Sequence, residues 1–185
     1  MPISHAYDHQ SVQSHHSEQL KVKAAFVLNL ARFVEWPEES KGNEEKDIVI
    51  CFYQYNLLQE SVDTIRHKKI NNKPITIKIV KDLNIHERCN VVLIPESTLS
   101  LFVKYNDYKN LQKKITITDL SSDNIENRDR KSQYSLENKI IFRLKRKKSR
   151  LRFEVNKIAS KRLGIDIGSE LLKLGILVKD EDRNE

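Results

Sequence analysis

Lys23-Ala24-Ala25-Phe26-Val27-Leu28-Asn29-Leu30-Ala31-Arg32-Phe33-Val34-Glu35-Trp36-Pro37 sets the terms for the fold. Read as a helix, it shows a polar edge at Asn29 and Arg32, with small Ala25 between them. Leu20, Ala24, Val27, Ala31 and Val34 make one apolar stripe, and Phe26, Leu30 and Phe33 make a second beside it. An arc that wide suits a helix packed on a sheet, or one shared between the core and a partner subunit. Phe26, Leu30, Phe33 and Trp36 are therefore candidates for a core or dimer face. Pro37 disfavours the α region at Trp36, so the helix is expected to end near Glu35.

Strands follow at intervals. Asp47 to Tyr53 and Asn90 to Ile94 are short apolar runs and read as interior strands. Ile75 to Val80 alternates like a strand with one wet face, entered through a turn at Asn71-Asn72-Lys73-Pro74. Leu57 to Arg66 is a weak helix. Glu96-Ser97-Thr98 opens an amphipathic helix through Leu99, Phe102 and Val103, and Ile115 to Thr118 is the next strand. Lys139 to Leu144 and Leu151 to Val155 flank a basic connection and read as a β-hairpin, with Lys145 to Ser149 at or near its tip. Asn156 suits an N-cap, Gly164 a left-handed terminator, and Asp166 or Ser169 the cap of a last helix. Strands that first alternate with helices and then form a hairpin predict one α/β domain. Its mixed central sheet of about five to six strands is flanked by helices.

The 185 residues include four Gly and four Pro, and 38% are hydrophobic, which fits one globular domain with a real core. The domain is placed at residues 18–179, between a polar, His-containing arm at 1–17 and a polar tail at 180–185. Residues 121–135 read as a mobile polar loop. No run approaches the roughly 20 apolar residues of a membrane span, and Met1 to Lys21 has no apolar leader core. The chain is thus cytoplasmic, or its leader is absent from the sequence.

Charge is unevenly spread. The net charge is +7, but Lys139 to Arg162 alone carries +10, and the rest sums to −3. The basic character is local and speaks of a partner, a surface or a solvated turn. Lys145, Arg146, Lys147, Lys148 and Arg150 lie at the hairpin. Arg152 and Glu154 share one face of its second strand, opposite Leu151, Phe153 and Val155. Glu35, at the end of the first helix, is a candidate to join Arg152 in a charged pocket. No aromatic residues interleave with the basic tip, which counts against stacking on single-stranded nucleic acid.

Chemistry is hard to find. There is no phosphate-binding glycine loop, no nucleophile elbow and no zinc-protease helix motif. Acids are scattered, and none follows the first strand, where a phospho-acceptor would need them. No catalytic residue, metal site or cofactor is assigned. The two cysteines, Cys51 and Cys89, have no metal spacing. From the residues alone they are either two buried thiols or a bridge. Parallel neighbouring strands would place them at opposite ends, whereas a bridge needs Cα atoms within roughly 7 Å.

The chain resembles the YfiR-like family in three places. Lys23 to Pro37 follows its K-A-A-F-L-Y-N-F-A-K-F-V-E-W-P signature. Ile50-Cys51-Phe52 and Cys89-Asn90-Val91-Val92-Leu93-Ile94 match its two cysteine-bearing strands. Leu151-Arg152-Phe153-Glu154-Val155-Asn156, Ala159 and Leu163 to Gly175 follow its V-R-F-E-I-N and L-L-K-L-A run, with Gly175 where Ala is usual. The resemblance implies a periplasmic, non-catalytic regulator. Such a protein restrains a membrane diguanylate cyclase by binding its periplasmic sensor part, in cyclic-di-GMP signalling linked to biofilm. It also implies an OmpA-like outer-membrane lipoprotein as a second partner and a homodimer, with no nucleic acid bound. A periplasmic chain should have Cys51 and Cys89 oxidised to each other. The competing reading is a basic, cytoplasmic, nucleic-acid-associated protein.

Overall fold

The computed structural model describes residues 21–35, 47–54, 65–85, 88–120, 139–147 and 150–178, with the side chains of 146 and 147 left aside. The arm at 1–17, Trp36, the weak helix before residue 65, the loop at 121–135, Lys148 and the tail at 180–185 lie outside these residues.

The first helix, α1, covers the described residues 21–32. Its predicted stripe is the buried one: Ala24, Val27, Ala31 and Val34 are all within 2% of full burial. The helix stops sooner than the proline argument predicts. Phe33 N–H bonds back to Leu30, closing the last turn. Val34–Glu35 then forms a short strand, β1, paired antiparallel with β9 (Asp166–Ile167). A backbone partner near the helix end outcompetes another half turn of helix.

The main sheet has eight strands. In chain order they are β2 (Ile48–Tyr53), β3 (Lys69–Ile70), β4 (Lys73–Val80), β5 (Val91–Pro95), β6 (Ile115–Leu120), β7 (Phe142–Lys147), β8 (Arg150–Val155) and β10 (Ile176–Leu177). Across the sheet the order is β10-β8-β7-β6-β5-β2-β4-β3. The run β4-β2-β5-β6-β7 is parallel throughout, and β3 and β8 join it antiparallel. The six strands read from sequence are all present. The two additional ones, β3 and β10, are two residues long and carry no readable period. Asn71 and Asn72, both at positive φ, make the turn between β3 and β4.

Every residue of β2 is buried, as its unbroken apolar run requires of a strand covered on both faces. β4 departs from its predicted alternation: Ile75 and Val80 are buried, but Ile79 is exposed. β3 pairs with only the first two residues of β4, so among the described residues the far half of β4 has no strand on that side.

Helices α2 (Leu99–Tyr105) and α3 (Tyr108–Leu111) connect β5 to β6 after a 3₁₀ turn at Glu96–Thr98. The ring of Phe102 packs edge-on against Tyr53 at 5.1 Å, so α2 covers the Cys51 and Tyr53 face of β2. Phe26 of α1 packs on Phe153, 5.8 Å between centroids, and Lys23 pairs with Asp119 at 2.8 Å, so α1 covers the opposite face. Asn156 caps α4 (Lys157–Arg162), accepting from the N–H groups of Ile158 and Ala159, and Gly164 follows at φ +66°. The last helix, α5 (Ser169–Leu174), has Gly168 as its N-cap with no side-chain bond; neither Asp166 nor Ser169 takes that role.

Cys51 and Cys89 are bonded to each other, with Cα atoms 5.7 Å apart. The expected separation fails because the chain does not run straight into β5. Arg88 is anchored on Asp47 through its carboxylate at 3.2 Å and its carbonyl at 2.7 Å. Asn90 pairs with Val49 through both its backbone N–H and its side-chain oxygen. Cys89, held between them, lies over β2 and reaches Cys51 in mid-strand.

A candidate partner interface on the late hairpin

Register decides what the hairpin displays. β7 and β8 pair with Arg143 opposite Glu154, Lys145 opposite Arg152 and Lys147 opposite Arg150. In an antiparallel pair, opposed residues share a face. One face of the hairpin therefore collects five basic positions and a single acid. The other carries Phe142, Leu144, Phe153 and Val155, which are core. Phe142 and Phe153 meet edge-on at 6.2 Å, fixing the strands from beneath.

Glu154 is the hub. It accepts from Arg143 at 3.3 Å and from Lys145 at 2.8 Å. Arg143 is 7% exposed, and a guanidinium that buried is tolerated because a carboxylate stands beside it. Beyond this hub the pairing turns unfavourable. Lys145 stands opposite Arg152, and like charges directly opposite each other destabilise a sheet. Arg150 and Arg152 are exposed.

The predicted site residues thus separate. Lys145, Arg150, Arg152 and Glu154 lie together on one face. Arg146 pairs with Leu151 in the backbone ladder. Glu35 stands opposite Asp166 in the β1–β9 ladder. Of the apolar candidates, Leu30 is core, Phe26 is partly buried on Phe153, and Phe33 is 44% exposed.

Arg143 is the residue that the sequence reading missed. Its signal was present, since Arg143 and Lys145 are two apart in a strand. Their partnership with Glu154 depends on the hairpin register, which an uncertain turn length leaves open.

Behind the hairpin a polar latch joins it to the disulfide half. Asn106 is fully buried at the end of α2. It donates to the Leu83 and Phe102 carbonyls and accepts from Ile85 N–H. Lys139, just before β7, donates to the Val103 and Asn106 carbonyls at 2.8 and 2.6 Å. A cation at the C-terminal end of a helix is well placed against its open carbonyls. Tyr53 donates to the Leu83 carbonyl from the same pocket, and burial, then nearby Tyr105, pushes its phenol pKa up.

Among the described residues, no group of three His, Cys, Asp or Glu could hold a metal, and no helix is long and apolar enough to cross a membrane. Cys89 is tied to Cys51 and is not available as a nucleophile.

The YfiR/HmsC-like family model matches residues 20–176, from the first described helix to the start of β10. The chain belongs to the YfiR/HmsC-like family. No curated protein matches it well enough to count as a relative. The three motifs read from sequence fall inside the matched span, in α1, in β2 and β5 with their disulfide, and from β8 through α5. Membership supports a theme of regulation in cyclic-di-GMP signalling.

Proposed function

We propose that this YfiR/HmsC-like protein is a periplasmic regulator that binds the periplasmic sensor part of a membrane diguanylate cyclase through the basic face of its late hairpin. The observation that carries this reading is the face itself. A chain that is slightly acidic elsewhere sets like charges opposite each other in adjacent strands, at a cost in stability, and leaves Arg150 and Arg152 exposed. An acidic protein surface would offset that repulsion.

Restraint follows from differential binding. A regulator that prefers the inactive form of its target by about 1.4 kcal/mol shifts the equilibrium about tenfold. An OmpA-like outer-membrane lipoprotein competing for the regulator would release the cyclase. A second copy would meet the exposed remainder of the α1 arc at Phe33.

The test is to titrate the protein against a membrane diguanylate cyclase from the same cell and follow cyclic-di-GMP synthesis. Inhibition is expected, and Lys145→Glu with Arg152→Glu should relieve it. Unchanged synthesis at saturating protein would overturn the reading. Retention on DNA with a steep salt slope would favour the nucleic-acid alternative instead.

A further inference from the structure

We propose that the outer edge of β10, beside the basic face of the hairpin, receives an extended acidic segment of a partner protein as an added strand. β10 is the last strand in the sheet order. Val178 N–H bonds inward to the Val155 carbonyl, so by alternation Leu177 turns its own N–H and C=O away from β8. Proteins usually blunt such an edge with lysine, proline or a covering segment. Here it is apolar, and among the described residues no strand pairs with it: Ile176 is 52% exposed and Leu177 46%.

Charge selects the occupant. Ile176 pairs with Glu154, which places it on the same face as Lys145, Arg152 and Arg150. An extended segment on this edge would bond to the β10 backbone, cover Ile176, and lay alternate side chains along that face. Acidic residues at those positions meet the arginines. A second copy of this chain would bring another basic face. A lipid surface has no backbone groups to satisfy Leu177. The close fit of Gly175 supports a fixed edge: a Cβ there would lie 2.5 Å from the Phe153 ring and 2.8 Å from Val155.

This deepens the reading of the hairpin as the recognition face and rests on it. The probe is a fluorescent peptide of alternating Glu and Val, measured by anisotropy against the full-length protein. An N-methylated copy that cannot pair as a strand and vesicles of phosphatidylglycerol serve as comparators. The plain peptide should bind, and the N-methylated one should not. Leu177→Pro, which removes the outward N–H, and Ile176→Glu, which sets an acid beside the peptide, should each weaken binding about tenfold or more, about 1.4 kcal/mol. Should Leu177→Pro misfold, Ile176→Glu decides alone.

Equal binding of both peptides, no effect of Ile176→Glu, or binding of vesicles without the peptide would overturn the proposal. The two readings can fail separately. If Lys145→Glu with Arg152→Glu abolishes cyclase binding but Ile176→Glu does not, the hairpin face stands and the added strand falls. If the peptide binds at β10 and the cyclase does not bind at all, the added strand stands and the choice of target falls.

Discussion

Toward one end of the sheet, the interior strand β2 is buried at all six positions, crossed by a disulfide and flanked by parallel strands on both sides. Toward the other end, β8 is exposed or half-exposed from Arg150 to Arg152, alternates only from Phe153 to Val155, and pairs like charges across the ladder. The first arrangement is what burial and covalent pinning give when stability alone is served. The second keeps an apolar underside and gives up stability on its upper face. Within one sheet, the surface that departs from the stabilising pattern is the better candidate for recognition.

The contrast can be broken most forcefully at the disulfide. Cys51→Ser with Cys89→Ser opens a loop of sequence separation 38. The expected loss is about 4 kcal/mol on the chain-entropy model, read by urea unfolding. A loss below about 1 kcal/mol would mean that strand packing alone pins this end.

Asn106→Ala comes next. It strands Ile85 N–H, while the Leu83 carbonyl keeps its bond from Tyr53, and should cost about 1–3 kcal/mol. The melting temperature should fall by several degrees. An unchanged melting temperature would show that the latch is dispensable.

Gly175→Ala tests the hairpin end from its edge. The new methyl meets Phe153 and Val155, so about 1–3 kcal/mol should be lost, with amide exchange rising in β10 before β2. The family's usual Ala at this position would then require a different placement of the Phe153 ring.

The smallest effect on stability belongs to the residues given the largest role in binding. Arg152→Ala and Lys145→Ala remove members of a like-charge pair. Either change should alter unfolding free energy by no more than about 0.5 kcal/mol, in either direction. A loss of 2 kcal/mol would make them structural and erase the difference between the two ends.

Legibility from sequence follows the same division. The long apolar strands and the α1 stripe were readable because burial on a sheet imposes a strict pattern on Ile48–Tyr53, Val91–Ile94 and Ala24–Ala31. The two-residue strands were not, since Lys69–Ile70 and Ile176–Leu177 owe their extension to a neighbour. The disulfide geometry was misjudged because local anchors, Arg88 on Asp47 and Asn90 on Val49, carry Cys89 across β2. Of the candidate site, the residues of β8 were legible from alternation. Arg143 was not, because its place opposite Glu154 depends on register.

The most direct measurement is the association rate between this protein and the periplasmic part of the proposed cyclase partner, followed from about 50 to 200 mM salt. For the unaltered protein the rate should fall steeply as salt rises. For Lys145→Glu with Arg152→Glu it should be slower at low salt and nearly flat, because exposed charges act mainly by steering. Identical rates and identical salt slopes for the two proteins would contradict the basic face as the recognition surface.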